Sequence, residues 1–386
     1  MLPIKKGVLF SLLGWRATLF IVAALAPLCL PLFLISFPYS ERLVSTGFPV
    51  LVWPWGNFDG VHYIGIAQTQ YGAYFTQAFF PLYPLLMGIL GQGLFFFADA
   101  WQRLLLSGLF LSYISLGLFV WSLYVLARID NLAFAKGSRL LWSVLLFPTA
   151  FFFAAVYSES LFLVFVVGCF IFLRRQKFWL AALCVGLATA TRFVGVALLP
   201  ALWWEYTLAR RRSWNRVDVG KLLSLSVLSL LGLVLYSSYL FYRFGDPFLF
   251  AHVQGAFGAS RTSDSIVTFP QVLYRYLKIV FTVPWHTYPY FTAILELGAT
   301  LGALTGLFIA VRKRIRSSYV LFSGIALLIP TLTGSLTSMP RYILVAFPLY
   351  FVLADLPRVT FRIWISLSAA LLVVLTTLFL RGYWVA

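Results

Sequence analysis

The chain has 386 residues, 62% of them hydrophobic and 10% charged, with a mean hydropathy of +0.93, whereas soluble domains carry about a quarter charged residues. That balance excludes an ordinary soluble domain and points to an all-α polytopic membrane protein, its length divided by the about 20 residues of a bilayer crossing. The net charge of +18 does not read as nucleic-acid binding, because the basic residues fall in short clusters after apolar runs, the pattern of a positive-inside topology.

In chain order, Lys5 and Lys6 precede an apolar run interrupted only by Arg16. A cleaved signal peptide has an apolar region of about 7 to 15 residues, so the longer run here is expected to be an uncleaved first helix over residues 15–36. A long outer loop, 38–103, follows. It contains "WGNFDGVHYIGIAQTQYG" (55–72) and then "FFPLYPLLMGILGQGLFFF" (79–97). Further spans are expected at 104–127, 139–155, 159–173, 178–191, 194–208, 221–242, 291–311, 318–334, 341–354 and 362–381, with a second long outer loop at 243–290. Cys29, Cys169 and Cys184 all lie in apolar runs, so neither a disulfide framework nor a thiolate metal site is implied.

The stretch 79–97 is long enough to cross, and charge decides its placement. If it lies in the outer interface, the inner side holds Lys5, Lys6, Arg16, Arg128, Lys136, Arg139, Arg174, Arg175, Lys177, Arg210, Arg211, Arg212, Arg216, Lys221, Arg312, Lys313, Arg314, Arg316, Arg358 and Arg362, which is 20 of the 29 basic residues. Eleven spans follow, N-terminus in and C-terminus out. The chain is expected to form one integral membrane domain, with a first module over 1–208 and C-terminal helices over 209–386.

Polar residues on the outer side are the candidates for chemistry. A helical turn starting near Asn57 puts Asp59, His62, Tyr63 and Ile66 on one face. Asn57 or Asp59 could simply cap that helix, but Trp55, His62, Tyr63, Gln68 and Tyr71 together suit a sugar. Glu159, in "AVYSESLFLVF", has apolar sequence on both sides. It is either a helix N-terminal acid at the membrane surface, capped by Ser158, or a cavity-lining carboxylate with a partner. Arg192 and Arg341 either snorkel to headgroups or, with Arg103, Arg243, Arg261, Arg275 and Lys278, form a pocket for an anionic lipid head, where a guanidinium can grip phosphate with two hydrogen bonds. His62, His252 and His286 are too scattered to suggest a metal constellation, and no Gly-rich nucleotide loop is present.

The blocks "NFDGVHYIGIAQTQYG", "FFPLYPLL", "AVYSESLFLVF", "TATRFVGVALLP", "FGDPFLFAHVQ" and "SMPRYILVAFPLYFVLA", in that order over residues 53–354, resemble the PIG-V family of mannosyltransferases and its prokaryotic relatives. The resemblance implies a GT-C fold with interfacial helices in the first outer loop, and a polyprenyl-phosphate sugar donor used on the outer face of the cell membrane. Asp59 and Glu159 are then the expected catalytic residues. His62, Tyr63, Tyr83, Arg192, Asp246, Gln254, Arg341 and Tyr342 are the expected substrate-binding residues. One departure concerns the residue before the acid: the family usually shows Trp-Asp, whereas Phe58 precedes Asp59 here, which removes an indole N–H from that sugar contact.

On this reading mannose moves with inversion to a hydroxyl of a glycolipid or glycan acceptor. Asp59 serves as general base, Glu159 orients the acceptor or shares that role, and Arg341 and Arg192 stabilise the leaving phosphate. No cofactor is expected and no divalent metal is required, since lipid phosphate leaves without a nucleotide. The alternative is a lipid transporter or flippase, for which inverted repeats and midplane charges would be expected. No repeat is visible, and the only acid deep in an expected span is Glu296.

Overall fold

The computed structural model describes residues 6–33, 40–73, 75–133, 137–210, 216–258, 261–262 and 266–385. Lys5, Lys136, Arg211 and Arg212 of the expected inner set lie outside the described residues, as does the end of the expected first span. Among the described residues there are helices, turns and loops, and no strand.

Among the described residues, five helices are long and apolar enough to cross a membrane: Gly7–Cys29, Ala100–Ile129, Val217–Phe244, Tyr288–Arg312 and Arg358–Leu380. Each overlaps an expected span, and they make the chain a helical membrane protein; the first starts at Lys6 and ends at Cys29, earlier at both ends than the expected 15–36. The other six expected spans correspond to shorter or interrupted helices. Glu159–Arg174, Phe178–Thr191 and Ser317–Thr331 have 16, 14 and 15 residues, and Phe193–Ala209 begins as a 3-10 turn.

The expected span 139–155 is broken into the helix Arg139–Leu145 and the 3-10 segment Ala150–Ala154, with Pro148 between. The expected span 341–354 is broken into Met339–Tyr342, Ile343–Val345 and Pro348–Ala354. Proline removes a backbone donor and clashes with the preceding turn. Such breaks are tolerated at membrane depth where protein surrounds the backbone, and Phe151, Phe152, Phe153, Ala154, Ala155 and Val156 are all buried. The stretch 79–97 contains a helix of only 11 residues, Leu82–Gln92, about 16 Å long. That is roughly half the hydrocarbon thickness, and Leu85 and Ile89 are exposed on it.

The chain divides into two compact units. The first contains residues 1–72, 83–164 and 353–385; the second contains 73–82 and 165–352. The expected division after residue 208 falls inside the second unit.

In the first unit the helix Lys6–Cys29 packs on Arg358–Leu380 and Arg139–Leu145. Its Arg16 donates to Ala154 O at 2.9 Å and lies 4.5 Å from the Trp55 ring. Trp55 is fully buried, and its indole N–H donates to Leu51 O. Val156 N donates to Trp55 O at 2.9 Å, which ties the start of the first outer loop to the buried segment leading into Glu159.

In the second unit the helices Phe178–Thr191 and Arg216–Phe244 touch backbone to backbone. A Cβ on Gly232 would lie 2.2 Å from Gly186 O, and one on Gly186 would lie 2.8 Å from Leu228 O. Small residues at such a crossing let backbones approach closely in a membrane, and Thr189 Oγ1 sits 3.2 Å from Ser229 O across it.

Candidate functional site

The expected site residues fall into two groups, one in each unit. In the first unit the helix Asp59–Thr69 opens with Asp59 itself, and its N-cap is Phe58 at φ +58 and ψ −116. The capping alternative for Asn57 does not hold: its side-chain amide donates to Phe379 O at 3.0 Å, and Phe58 has no capping atom. A phenylalanine in that backbone region is strained, as residues at functional sites often are. The turn is held by Tyr157, whose phenol accepts from Asp59 N at 3.3 Å and donates to Asn57 O at 3.2 Å. Phe58 is buried edge-on to Trp384 at 5.1 Å and beside Phe379. It is therefore a packing residue, and the helix start is anchored by its ring contacts.

The same segment that supplies Tyr157 supplies Ser158 and Glu159. Ser158 Oγ is 2.9 Å from the Tyr63 hydroxyl, and the Tyr63 ring meets the Tyr83 ring edge-on at 4.9 Å. The Tyr83 phenol lies 3.1 Å from Gly108 O and 2.7 Å from Ser112 Oγ, which itself donates to Tyr157 O. Glu159 is close enough for its charge to act on Tyr83 and is 1% exposed. It is thus the first residue of its helix, as either sequence reading requires, and it is buried.

Asp59 is half-buried and His62 faces it electrostatically. Burial pushes the His62 imidazole below its ordinary value, opposed by the Asp59 charge, so the ring is neutral near pH 7. Two neighbours once expected to line a sugar are committed elsewhere. Trp55 is core, and Gln68 accepts from the Trp101 indole at 2.8 Å.

In the second unit Arg192 and Arg341 flank one ring: their guanidinium carbons lie 5.4 and 5.5 Å from the Tyr342 centroid, within cation–π range. Arg192 directly follows the helix Phe178–Thr191 in extended backbone. Arg341 sits in the turn Met339–Tyr342, opened by Ser338 at φ +70, and is 5% exposed. It does not snorkel.

The loop before that turn is held from several sides. Arg261 reaches Gln254 Oε1 and Ser338 Oγ, each at 3.4 Å. The Tyr276 phenol donates to the Glu296 carboxylate, lies 3.2 Å from Ser335 Oγ and accepts from Leu336 N at 3.1 Å. Ser338 N–H also bonds to Glu296. Sequence reading singled out Glu296 only as a deep acid and passed over Tyr276 and Ser338, because what makes them matter is contact between segments about 20 and 60 residues apart. Asp246 takes another part: its carboxylate accepts from Phe248 N and sits 2.6 Å from His252 Nδ1. His252 holds its carboxyl below the usual range. Gln254 joins the arginine group through Arg261, and Asp246 does not.

Among the described residues, no three His, Cys, Asp or Glu side chains gather as a metal site would require. The fold and site thus define a class, a helical membrane protein carrying one buried acidic and one arginine-rich polar cluster. The sequence matches no protein-family model, and comparison with curated proteins gives no match.

Proposed function

We propose that the chain is a GT-C-type glycosyltransferase with about eleven membrane crossings, moving mannose from a polyprenyl-phosphate donor to a hydroxyl acceptor at the outer face. The observation that carries this reading is the strained start of the Asp59 helix. A non-glycine residue at positive φ, braced by Tyr157, fixes the carboxylate beside His62 and in the same unit as the buried Glu159 cluster. Helix capping accounts for none of this.

In the proposed reaction the acceptor oxygen forms a bond to the anomeric carbon as its proton passes to Asp59. The bond from that carbon to the phosphate oxygen breaks on the opposite face, so configuration inverts. The leaving polyprenyl phosphate gains charge in the transition state, where Arg341 and Arg192 stabilise it more than the ground state. Their shared seat on Tyr342 supports this role, since a guanidinium held by a ring is oriented before the ligand arrives. Asp59 returns its proton to water. Glu159 orients the acceptor.

A transporter would be expected to show inverted repeats and several midplane charges, and Glu296 is the only acid deep in an expected span. Its carboxylate instead fastens the loop that leads to Arg341, a structural use that needs no ion pathway. Mass spectrometry of lipid extracts from a deletion strain tests the proposal. A glycolipid one hexose shorter, restored by the wild-type gene but not by Asp59→Asn, is expected. An unchanged glycolipid profile with an altered distribution between leaflets would favour transport.

A further inference from the structure

The second unit contains a cavity of about 610 Å³ that the proposed reaction does not use. Its walls are apolar, from Trp204, Leu208, Val311 and Val320, and its polar lining includes Arg314, Arg316 and Ser317. It lies where the helices Leu198–Ala209 and Tyr288–Arg312 end and Ser317–Thr331 begins, at the level where apolar helix gives way to a basic cluster. No acidic residue is among the described residues that line it.

Its two arginines are held differently. Arg316 makes a two-bond fork to Glu205 at 2.5 Å per bond, and Ser318 Oγ donates to the same carboxylate. Glu205 is 4% exposed, so this pair is a fixed wall with its charge largely satisfied.

Arg314 is exposed and occupies a position that suits glycine. Its N–H donates to Val311 O at 3.0 Å, and Ile315 N donates to Ala310 O at 2.9 Å. This is the pattern of a helix ending through a left-handed residue, and Arg314 has φ +56. A side chain there is disfavoured relative to right-handed backbone, so stability alone would select glycine. The helix that begins beside it, 15 residues long, has no side-chain cap, leaving first-turn N–H groups of Ser317 and Ser318 facing the same end.

We infer that this cavity binds the headgroup of an anionic phospholipid of the surrounding bilayer, with the phosphate at Arg314 and the acyl chains along Trp204, Leu208 and Val320. Apolar walls beneath a cationic mouth fit an amphiphile and not a free anion, and basic pockets between membrane helices recognise anionic lipids in this way. The inference is independent of the proposed transferase activity.

The full chain is reconstituted in phosphatidylcholine vesicles containing a minority of phosphatidylglycerol, with bromine on the acyl chains of one lipid or the other. The Trp204 signal is isolated by subtracting a Trp204→Phe protein. Quenching by brominated phosphatidylglycerol about fivefold above its mole fraction is expected, falling to the mole fraction in Arg314→Gly. That variant should melt no lower than wild type, because glycine relieves the left-handed backbone; lost lipid preference then cannot reflect unfolding. Equal quenching by both lipids in wild type, an unchanged preference in Arg314→Gly, or release of the preference by inorganic phosphate would each overturn the assignment.

Discussion

Asp59 and Arg341 share a local device: Phe58 at φ +58 starts the helix that presents the acid, and Ser338 at φ +70 starts the turn that presents the guanidinium. Strained backbone of this kind persists only where its surroundings over-determine it, here Tyr157 on one side and Arg261 with Glu296 on the other. Arg341→Ala should lower the initial rate of mannose transfer roughly tenfold to hundredfold, the worth of a hydrogen bond to a charged group. Arg341→Lys should fall between, keeping the charge and losing the fork. Rates equal to wild type in both would move the phosphate away from Arg341. His62 gives a prediction about pH. Its folded value is lowered by burial, so its contribution to stability is full above the unfolded value of about 6.5 and is lost as pH falls from there toward the folded value. Melting temperatures measured across that range should fall more steeply for wild type than for His62→Gln, and parallel curves would show that His62 does not titrate against folding.

At the scale of elements, the crossing of Phe178–Thr191 with Arg216–Phe244 depends on Gly232. Gly232→Ala places a methyl 2.2 Å from a backbone carbonyl, and overpacking of this kind costs about 1 to 3 kcal/mol. Gly298→Ala, with nothing within 4 Å, should leave the melting temperature unchanged or slightly raised; equal effects at both positions would deny the close crossing. Helix boundaries were legible where apolar runs end in charge or proline, as at 178–191, which matches Phe178–Thr191 residue for residue. The interruptions inside 139–155 and 341–354 were not, because hydropathy counts apolar side chains and is blind to where buried backbone may leave the helix. Asp59, His62 and Tyr63 could be placed on one face from spacing alone. Ser158 and Tyr83 join them through contacts across 95 residues and a ring pair, which no spacing encodes. The loop fastened by Tyr276 and Glu296 was hidden for the same reason. Tyr276→Phe should raise the donor KM of transfer while leaving the melting temperature of the chain within a few degrees, since it loosens the approach to Arg341 and leaves its helix packed. An unaltered KM would make the Tyr276 bond a matter of packing only.

For the whole molecule, the basic clusters argue for orientation. Twenty of 29 basic residues fall on the inner side if 79–97 does not cross, and the helix within that stretch has 11 residues. A reporter fused after Lys177 should read as cytoplasmic, and one inserted near Ser263, outside the described residues, as external. Reversal at both sites would mean that 79–97 crosses. The account as a whole stands on transfer chemistry at Asp59, and a single assay tests it most directly. Purified chain in lipid nanodiscs is given labelled polyprenyl-phosphate-mannose and acceptor lipids extracted from a deletion strain, beside an Asp59→Asn protein of equal melting temperature. The account predicts labelled glycolipid with inverted anomeric configuration from wild type and none from Asp59→Asn. Equal labelling by the two proteins, or no labelling by wild type, would contradict it.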